Sequence, residues 1–265
     1  LAPGATFQQK VDNLLALGFE GVELNAGFDP HGGSDLRRRV DEIKRALEGT
    51  QIAVSSICGG QPMTFLAADV QQRRAAIDGY RENLAIAGEL GATGPILVPI
   101  FGPPQLSDPW PLKSAVDLEK EILAEICKDL ADIAVQYGTN VVLEPLNRYE
   151  THLLRTLADA MQICDMAGNP PGLKIMADFF HMNIEEPDIP ASIRAAGDAI
   201  CHVHLADSTR TEPGSGHTDF AAGLKALSDI GYSGYMAFEC ALSGPDPAEA
   251  LKRSVKFLQK LQADL

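Results

Sequence analysis

Val141-Val142-Leu143-Glu144 is a short apolar run that ends on a carboxylate, and the chain repeats this pattern. The repeats are Leu173-Lys174-Ile175-Met176-Ala177 before Asp178, Ile200-Cys201-His202-Val203 before His204, and Tyr235-Met236-Ala237-Phe238 before Glu239. Runs that are apolar throughout are typical of strands covered on both faces. In a parallel barrel the carboxyl ends of the strands meet around one mouth. The pattern therefore predicts a parallel α/β fold in which these four polar side chains lie close together.

The whole chain alternates predicted strands with predicted helices, which indicates one α/β barrel domain over residues 1–265. The predicted strands span residues 19–25, 52–58, 95–101, 140–144, 173–178, 199–206 and 235–240. A helix over about residues 6–17 comes first, with no strand before it. A (β/α)8 TIM barrel needs one more strand, and we expect that strand before Leu1. An open seven-stranded barrel would leave two unpaired edges and is disfavoured.

Charge and composition exclude several classes of protein. The net charge of -14 and pI of about 4.8 disfavour binding to nucleic acid or to anionic membrane surfaces. No apolar run reaches the roughly 18 residues that a membrane span requires. The five cysteines are scattered and lack a CxxC pair, which favours buried thiols in a reducing cytoplasm over disulfides or a zinc–thiolate site. These cysteines are Cys58, Cys127, Cys164, Cys201 and Cys240.

Three carboxylates and one imidazole make a mostly hard set of ligands without a thiolate. Such a set favours manganese, magnesium or cobalt over structural zinc, and leaves positions open for substrate oxygens. Any one of these carboxylates alone could be a helix cap or a surface charge. The three carboxylates, gathered with an imidazole at four strand ends, would repel one another without a cation, so we predict a divalent-metal site.

Other polar residues follow the same strands. His181 and Arg210 are predicted on loops that leave two of them, and Arg210 can either bind substrate oxygens or form an ion pair in the loop. His202 lies one layer below His204, and we expect a hydrogen-bonded core histidine there rather than a ligand. The proline-rich segment 103–111 is expected to serve as a lid, a specificity wall or an oligomer contact.

Three segments, 143–151, 177–186 and 202–210, together resemble the sugar phosphate isomerase/epimerase superfamily with the xylose-isomerase-like barrel. Among its members they are most similar to the ketose 3-epimerases that act on D-tagatose, D-psicose or 5-keto-L-gluconate. The segments 213–220 and 238–240 also fit. The resemblance implies that the metal ligands are Glu144, Asp178, His204 and Glu239, and that the substrate-binding residues are Glu150, His181 and Arg210. Thr209 and Phe179 depart from the residues common in relatives, which leaves the substrate open.

The implied activity is isomerase chemistry: epimerisation at C3 of a free ketose or keto-sugar acid through a cis-enediolate. Glu144 and Glu239 would act on opposite faces of the sugar, with a divalent metal, foremost Mn²⁺, as cofactor. The alternatives are a dehydratase or lyase, or an aldose–ketose isomerase, acting on a related keto-sugar, an inosose or 3-dehydroshikimate. The acidic charge argues against a DNA-repair endonuclease on the same barrel. We also expect a homodimer or homotetramer.

Overall fold

A computed structural model of the protein describes residues 1–27, 35–60 and 62–264. No helix within these residues combines the length and the apolar character that crossing a membrane requires. The strands are β1 (Gly21–Asn25), β2 (Ala53–Cys58), β3 (Ile96–Leu97), β4 (Val141–Leu143), β5 (Leu173–Asp178), β6 (Ile200–Leu205) and β7 (Met236–Phe238). The α-helices are α1 (Phe7–Leu17), α2 (Leu36–Leu47), α3 (Val70–Leu90), α4 (Ala115–Tyr137), α5 (Leu157–Met166), α6 (Phe179–Glu185), α7 (Ile189–Ala196), α8 (Phe220–Asp229) and α9 (Pro247–Ala263).

The strands pair in chain order and are all parallel. β1 pairs with β2, and β3 to β7 form a second, continuous sheet. A single parallel bridge between Ile57 and Pro95 links the two sheets. Asp178 lies opposite His204 in the register of β5 and β6, and His204 lies opposite Ala237 of β7. The carboxyl ends of β4 to β7 therefore meet at one rim, as the predicted barrel requires.

Alternate side chains of the strands face two different environments. Val141, Leu143 and Ile175 are fully buried in the core that the strands share with the helices. Val142 and Met176 belong instead to a small separate cluster with Ile96. These two residues precede Glu144 and Asp178 by two positions, so they form an apolar layer below the polar strand ends. In β4 and β5 the residue two positions before the polar strand end therefore faces the same side as that strand end.

β1 and β7 border a cavity of about 550 Å³. Its walls come from the opening helix, the two strands and α9, and they include Leu14, Val22, Glu23, Ala237 and Leu258. In the predicted barrel the eighth strand would lie between these two strands. That strand stays a prediction.

Two local predictions were wrong for identifiable reasons. The third strand was expected over residues 95–101 but is a strand at Ile96–Leu97 alone, preceded by the bridge at Pro95. Pro95 and Pro99 have no backbone N–H to donate, so a longer ladder cannot form there. The segment after β5 was expected to be a loop but is the helix α6, with seven residues. A helix of two turns is too short to show a clear hydrophobic period.

Gly223 lies inside α8, where it faces the fully buried ring of Phe179. A Cβ atom at this position would lie 2.6 Å from Cζ of that ring. Helix propensity alone favours alanine over glycine by about 1 kcal/mol, but overpacking a core costs about 1–3 kcal/mol. Because the clash is with a fully buried ring, we place the overpacking cost at about 2–3 kcal/mol, in the upper part of that range. After the gain in helix propensity, we expect Gly223→Ala to lower the free energy of unfolding by about 1–2 kcal/mol in urea titrations.

The matched control is Ser228→Ala, at an exposed position of the same helix. It should change the free energy of unfolding by less than about 0.5 kcal/mol. If Gly223→Ala is as stable as the wild type, Phe179 has room to move and the packing argument is wrong.

Candidate metal centre

The structure brings the four predicted metal ligands together at the rim. Glu144 directly follows β4, Asp178 and His204 lie at the ends of β5 and β6, and Glu239 directly follows β7. One ligand atom from each residue lies within 4.8 Å of the corresponding atoms of the other three. Glu144, Asp178 and His204 are at most 4% exposed, and Glu239 is partly open to solvent. These four side chains, called the cup below, are thus buried except on the side of Glu239, which solvent can reach.

Two atoms in this cup lack any hydrogen-bond partner. They are Oδ2 of Asp178 and Nδ1 of His204, which lie 3.5 Å apart. Carboxylate oxygens of Glu239 and Glu144 lie 3.6 and 3.9 Å from the same nitrogen. A buried polar atom without a partner costs about 1–3 kcal/mol. A cation held between these atoms would remove that cost, so the residues fit a divalent ion.

The electrostatics of the cup lead to the same conclusion. Burial raises the pKa of Glu144 well above its usual value, and the carboxylates of Glu239 and Asp178 raise it further against the opposite effect of His204. Burial opposes protonation of His204, yet the charge of Glu23 and the nearby carboxylate of Asp178 raise the pKa of this imidazole well above its usual value. In the absence of a cation the cup therefore retains protons, and binding a cation would displace them.

A second cluster lies directly below and shares His204 with the first. Nε2 of His204 and Nε2 of His202 lie 2.8 and 3.0 Å from Oε2 of Glu23. Both distances are ordinary hydrogen bonds, so these atoms partner one another without a metal. The prediction that His202 is a hydrogen-bonded core histidine is confirmed. The upper cluster, with its unpartnered atoms, is the better metal site.

Asp178 also holds the start of α6 in place. Its Oδ1 accepts hydrogen bonds from the backbone N–H groups of Phe180 and His181, at 2.7 and 3.2 Å. His181 therefore lies in the first turn of a helix, not on a loop as predicted. One residue thus supplies a helix cap from one carboxylate oxygen and a candidate ligand from the other.

The ring of His181 is oriented by the segment after β4. The backbone N–H of Asn147 donates to Nδ1 of His181, at 3.2 Å. In the neutral ring this bond places the proton on Nε2. Nε2 has no partner and lies 3.8 Å from the carboxylates of Glu144 and Asp178. His181 thus presents a free N–H donor beside the candidate metal ligands.

Arg210 spans the opposite side of the mouth. Its guanidinium donates to Glu150 and to Glu239, both at 3.0 Å, and lies over the ring of Phe180 with Cζ 4.8 Å from the centroid. Glu150 in turn accepts from the side-chain amide of Asn147, at 2.8 Å. The three predicted substrate-binding residues, Glu150, His181 and Arg210, therefore surround the cup and are joined through Asn147.

Asp207 organises the loop that carries Arg210. This residue is 1% exposed, and its carboxylate accepts from four backbone N–H groups at 2.7–3.0 Å. Arg210 itself adopts φ of 56°, an uncommon conformation for a residue with a side chain. Backbone strain of this kind persists only where the surroundings enforce it. The donors to Asp207 are Ser208, Gly214, Gly216 and Thr218.

One of the two departures noted in the sequence lies outside the mouth. Phe179 is fully buried and stacks on Phe220 of α8, with ring centroids 5.5 Å apart. The side chain thus packs between α6 and α8, on the helix side of the strands. Asp178 and Phe179 are adjacent and point in different directions, so Phe179 packs against the helices while Asp178 faces the mouth.

Comparison with known proteins agrees with the barrel fold. A family described as the xylose isomerase-like TIM barrel matches residues 11–261. The 3-dehydro-D-guloside 4-epimerase of Escherichia coli K12 is 31% identical over 260 residues, which cover 95% of this chain and 93% of the relative. The D-psicose 3-epimerase of Agrobacterium fabrum is 36% identical over 246 residues, with 89% and 79% covered. A crystal structure of 3-keto-D-glucoside 4-epimerase from Escherichia coli superposes with a TM-score of 0.86 at 28% identity, covering 97% of this chain and 95% of the other.

These relatives are all named epimerases, which confirms the prediction of an isomerase. The predicted barrel class is confirmed as well, because the match extends from α1 to α9. The chain therefore belongs to the xylose isomerase-like TIM barrel family.

Proposed function

We propose that this protein is a metal-dependent epimerase that inverts a hydroxyl-bearing carbon next to the ketone of a sugar. The observation that carries the proposal is the cup itself, in which buried ligand atoms without partners meet two glutamates from different strands. Glu144, Asp178, His204 and Glu239 would hold the ion. The hard set of donors favours Mn²⁺, with Mg²⁺ or Co²⁺ as alternatives. When bound, such an ion supplies Lewis-acid stabilisation of negative charge on neighbouring substrate oxygens.

The two glutamates are positioned for proton transfer on two faces. Glu144 follows β4 and Glu239 follows β7, with β5 and β6 between them. Their carboxylates thus approach the centre of the cup from different sides. One removes the proton next to the ketone to form a cis-enediolate, and the other returns a proton to the far face. The first glutamate starts as a carboxylate and the second as a carboxylic acid, and both exchange protons with solvent to return to these states between turnovers.

His181 and Arg210 would orient the sugar. The free Nε2–H of His181 can donate to a substrate oxygen, and the guanidinium of Arg210 can donate to one while it holds Glu239 in place. Burial of Asp178 and His204 keeps water from the lower side of the cup. These contacts favour a free sugar, because they provide hydrogen-bond donors and no phosphate cradle.

Two classes of substrate are supported. The first is a free ketose or keto-sugar acid, epimerised at C3 beside a C2 ketone, in line with the D-psicose 3-epimerase relative. The second is a 3-keto glycoside, epimerised at C4. This class is favoured by the Escherichia coli 4-epimerase, which aligns over 93% of its own length. Both reactions use the same unit, a ketone and the neighbouring CH–OH, so one cup can serve either.

The deciding experiment is turnover in D₂O with Mn²⁺, using a panel of free ketoses and 3-keto glycosides followed by NMR. We expect inversion next to the ketone, with deuterium at the inverted carbon. Inversion without deuterium would contradict two-face proton transfer. A product that has lost water would replace the proposal with the dehydratase or lyase alternative, and an aldose product would replace it with aldose–ketose isomerisation.

Arg210→Ala should lower kcat/KM for the active sugar by about 10- to 100-fold. The variant loses a charged hydrogen-bond donor worth about 1.5–3 kcal/mol and frees Glu239. The control is Arg148→Ala, which removes a neighbouring rim arginine that binds Glu185 instead. Steady-state kinetics check the result. Equal kcat/KM for the two variants would remove Arg210 from the substrate site.

A further inference from the structure

His204 faces two different groups with its two ring nitrogens. Nδ1 opens into the cup, 3.5 Å from Asp178 and 3.6 Å from Glu239. Nε2 points the other way and lies 2.8 Å from Oε2 of Glu23 in β1. Glu23 is absent from the set of residues that the sequence singled out. Its side chain is only 13% exposed and touches a candidate metal ligand from below.

The contact with Glu23 determines which nitrogen of His204 can bind a metal. A carboxylate accepts hydrogen bonds and does not donate them, so Nε2 must carry the proton in this contact. In the neutral ring, Nδ1 then keeps its lone pair and faces the cup. A hydrogen bond of this kind to the second nitrogen also fixes the plane of a ligating imidazole.

Glu23 is itself held on several sides. Oε2 also interacts with Nε2 of His202 at 3.0 Å and forms a short hydrogen bond with the hydroxyl of Ser56. Ser56 and His202 are fully buried and lie 3.0 Å from each other. Three donors from β2 and β6 thus converge on one oxygen of β1. Because these partners do not move freely, the carboxylate is rigid enough to set the orientation of His204.

We propose that Glu23 is a positioning residue for the metal centre, which fixes His204 in the Nε2–H form with Nδ1 directed at the ion. The inference rests on the metal centre of the proposed function. It adds a residue that touches neither the ion nor the sugar and acts through His204. Ser56 and His202 support it by restricting the carboxylate of Glu23.

The first test is the affinity for Mn²⁺, measured from the EPR signal of the free ion with the wild type and Glu23→Gln. We expect a Kd about 10- to 100-fold higher for Glu23→Gln, the usual effect of losing a partner of a ligating histidine. Glu20→Gln is the matched control, since Glu20 precedes the same strand and is exposed. It should bind Mn²⁺ as the wild type does. A folded Glu23→Gln with the affinity of the wild type would overturn the inference.

A second variant separates position from charge. Glu23→Asp keeps the negative charge but shortens the side chain by one methylene group. We expect it to bind Mn²⁺ about tenfold more weakly, because the carboxylate no longer reaches Nε2 in the same geometry. If Glu23→Asp binds as tightly as the wild type, charge alone is sufficient and the positioning role is wrong.

The third measurement uses no variant of Glu23, so it remains informative even if the Glu23 variants do not fold. Long-range ¹H–¹⁵N NMR spectra of histidine-labelled wild type with Mg²⁺ report the protonated nitrogen of each ring. We expect His204, assigned by the resonance missing in His204→Asn, to carry its proton on Nε2. A proton on Nδ1 would overturn the inference. If the wild type binds neither Mn²⁺ nor Mg²⁺, the metal centre itself is wrong as well. If the wild type binds Mn²⁺ and the Glu23 variants bind it equally well, only this inference is wrong.

Discussion

Replacing Glu239 by glutamine should lower kcat by at least about 10²-fold, the usual contribution of a positioned acid or base. Glu144→Gln should do the same, because each face of the sugar needs its own proton carrier. The substitution preserves the shape of the side chain and removes the basic oxygen. For Glu239, Arg210 still finds an acceptor in the amide oxygen, so the rim should stay in place. Steady-state kinetics on the active keto-sugar give the result.

Both glutamates are also candidate metal ligands, so the Mn²⁺ content of each variant must be measured beside its rate. The informative comparison is kcat at saturating Mn²⁺. Glu185→Gln is the control, because Glu185 lies on the same rim but binds Arg148 instead of the cup. It should retain kcat within about threefold, a change in the barrier below about 0.7 kcal/mol, because its carboxylate contacts Arg148 and not the cup. A metal-loaded Glu144→Gln or Glu239→Gln with the kcat of the wild type would eliminate that residue as a proton carrier.

Asp178→Asn should abolish metal-dependent stabilisation. For the wild type, Mn²⁺ at 100 times its Kd should raise the free energy of unfolding by about 2.7 kcal/mol. In a chain of this size that corresponds to a rise in Tm of roughly 5–10 °C. Asparagine can still cap α6 through its amide oxygen, so the fold is preserved. Its amide replaces the unpartnered Oδ2 that faces His204, and we expect no shift of Tm with Mn²⁺.

Asp188→Asn is the matched control for this substitution. Asp188 likewise caps a helix, α7, by accepting from the backbone N–H of Ala191 at 2.9 Å, and lies outside the cup. This variant should keep the full Mn²⁺-dependent shift of Tm. Thermal unfolding with and without Mn²⁺, followed by circular dichroism, measures both. If Asp178→Asn shows the same Mn²⁺-dependent rise in Tm as the wild type, the ion binds elsewhere.

The parts of this structure that were predictable are those with a local signal. Glu144, Asp178, His204 and Glu239 each end an apolar run, so their spacing along the chain revealed both the strands and the rim. Glu23 gave no such signal, because a single glutamate inside a short strand is just as typical of an exposed surface charge as of a buried functional residue. Its role depends on residues of β2 and β6 that approach it only in the folded chain.

Asp207 and Asn147 were missed for a related reason. Asp207 accepts from backbone N–H groups, and the backbone N–H of Asn147 donates to the ring of His181. No residue pattern specifies where these backbone groups lie. The early end of β3 could have been predicted from Pro95 and Pro99. The helix α6 could not, because a helix of two turns is too short to show a hydrophobic periodicity. The roles that depend on hydrogen bonds between distant segments therefore could not be predicted from the sequence.

The four backbone N–H groups that donate to Asp207 limit which sequence changes this loop can accept. Inserting or deleting a residue between Ser208 and Thr218 would pull at least one N–H out of reach, so that segment has a fixed length. The proline-rich segment 103–111 differs in exposure, since Trp110 is 79% exposed and the adjoining Leu112 is 91% exposed. A combinatorial library aimed at altered sugar selectivity should therefore leave the length of residues 208–218 unchanged, and varying residues 103–111 would test whether that segment is the predicted specificity wall.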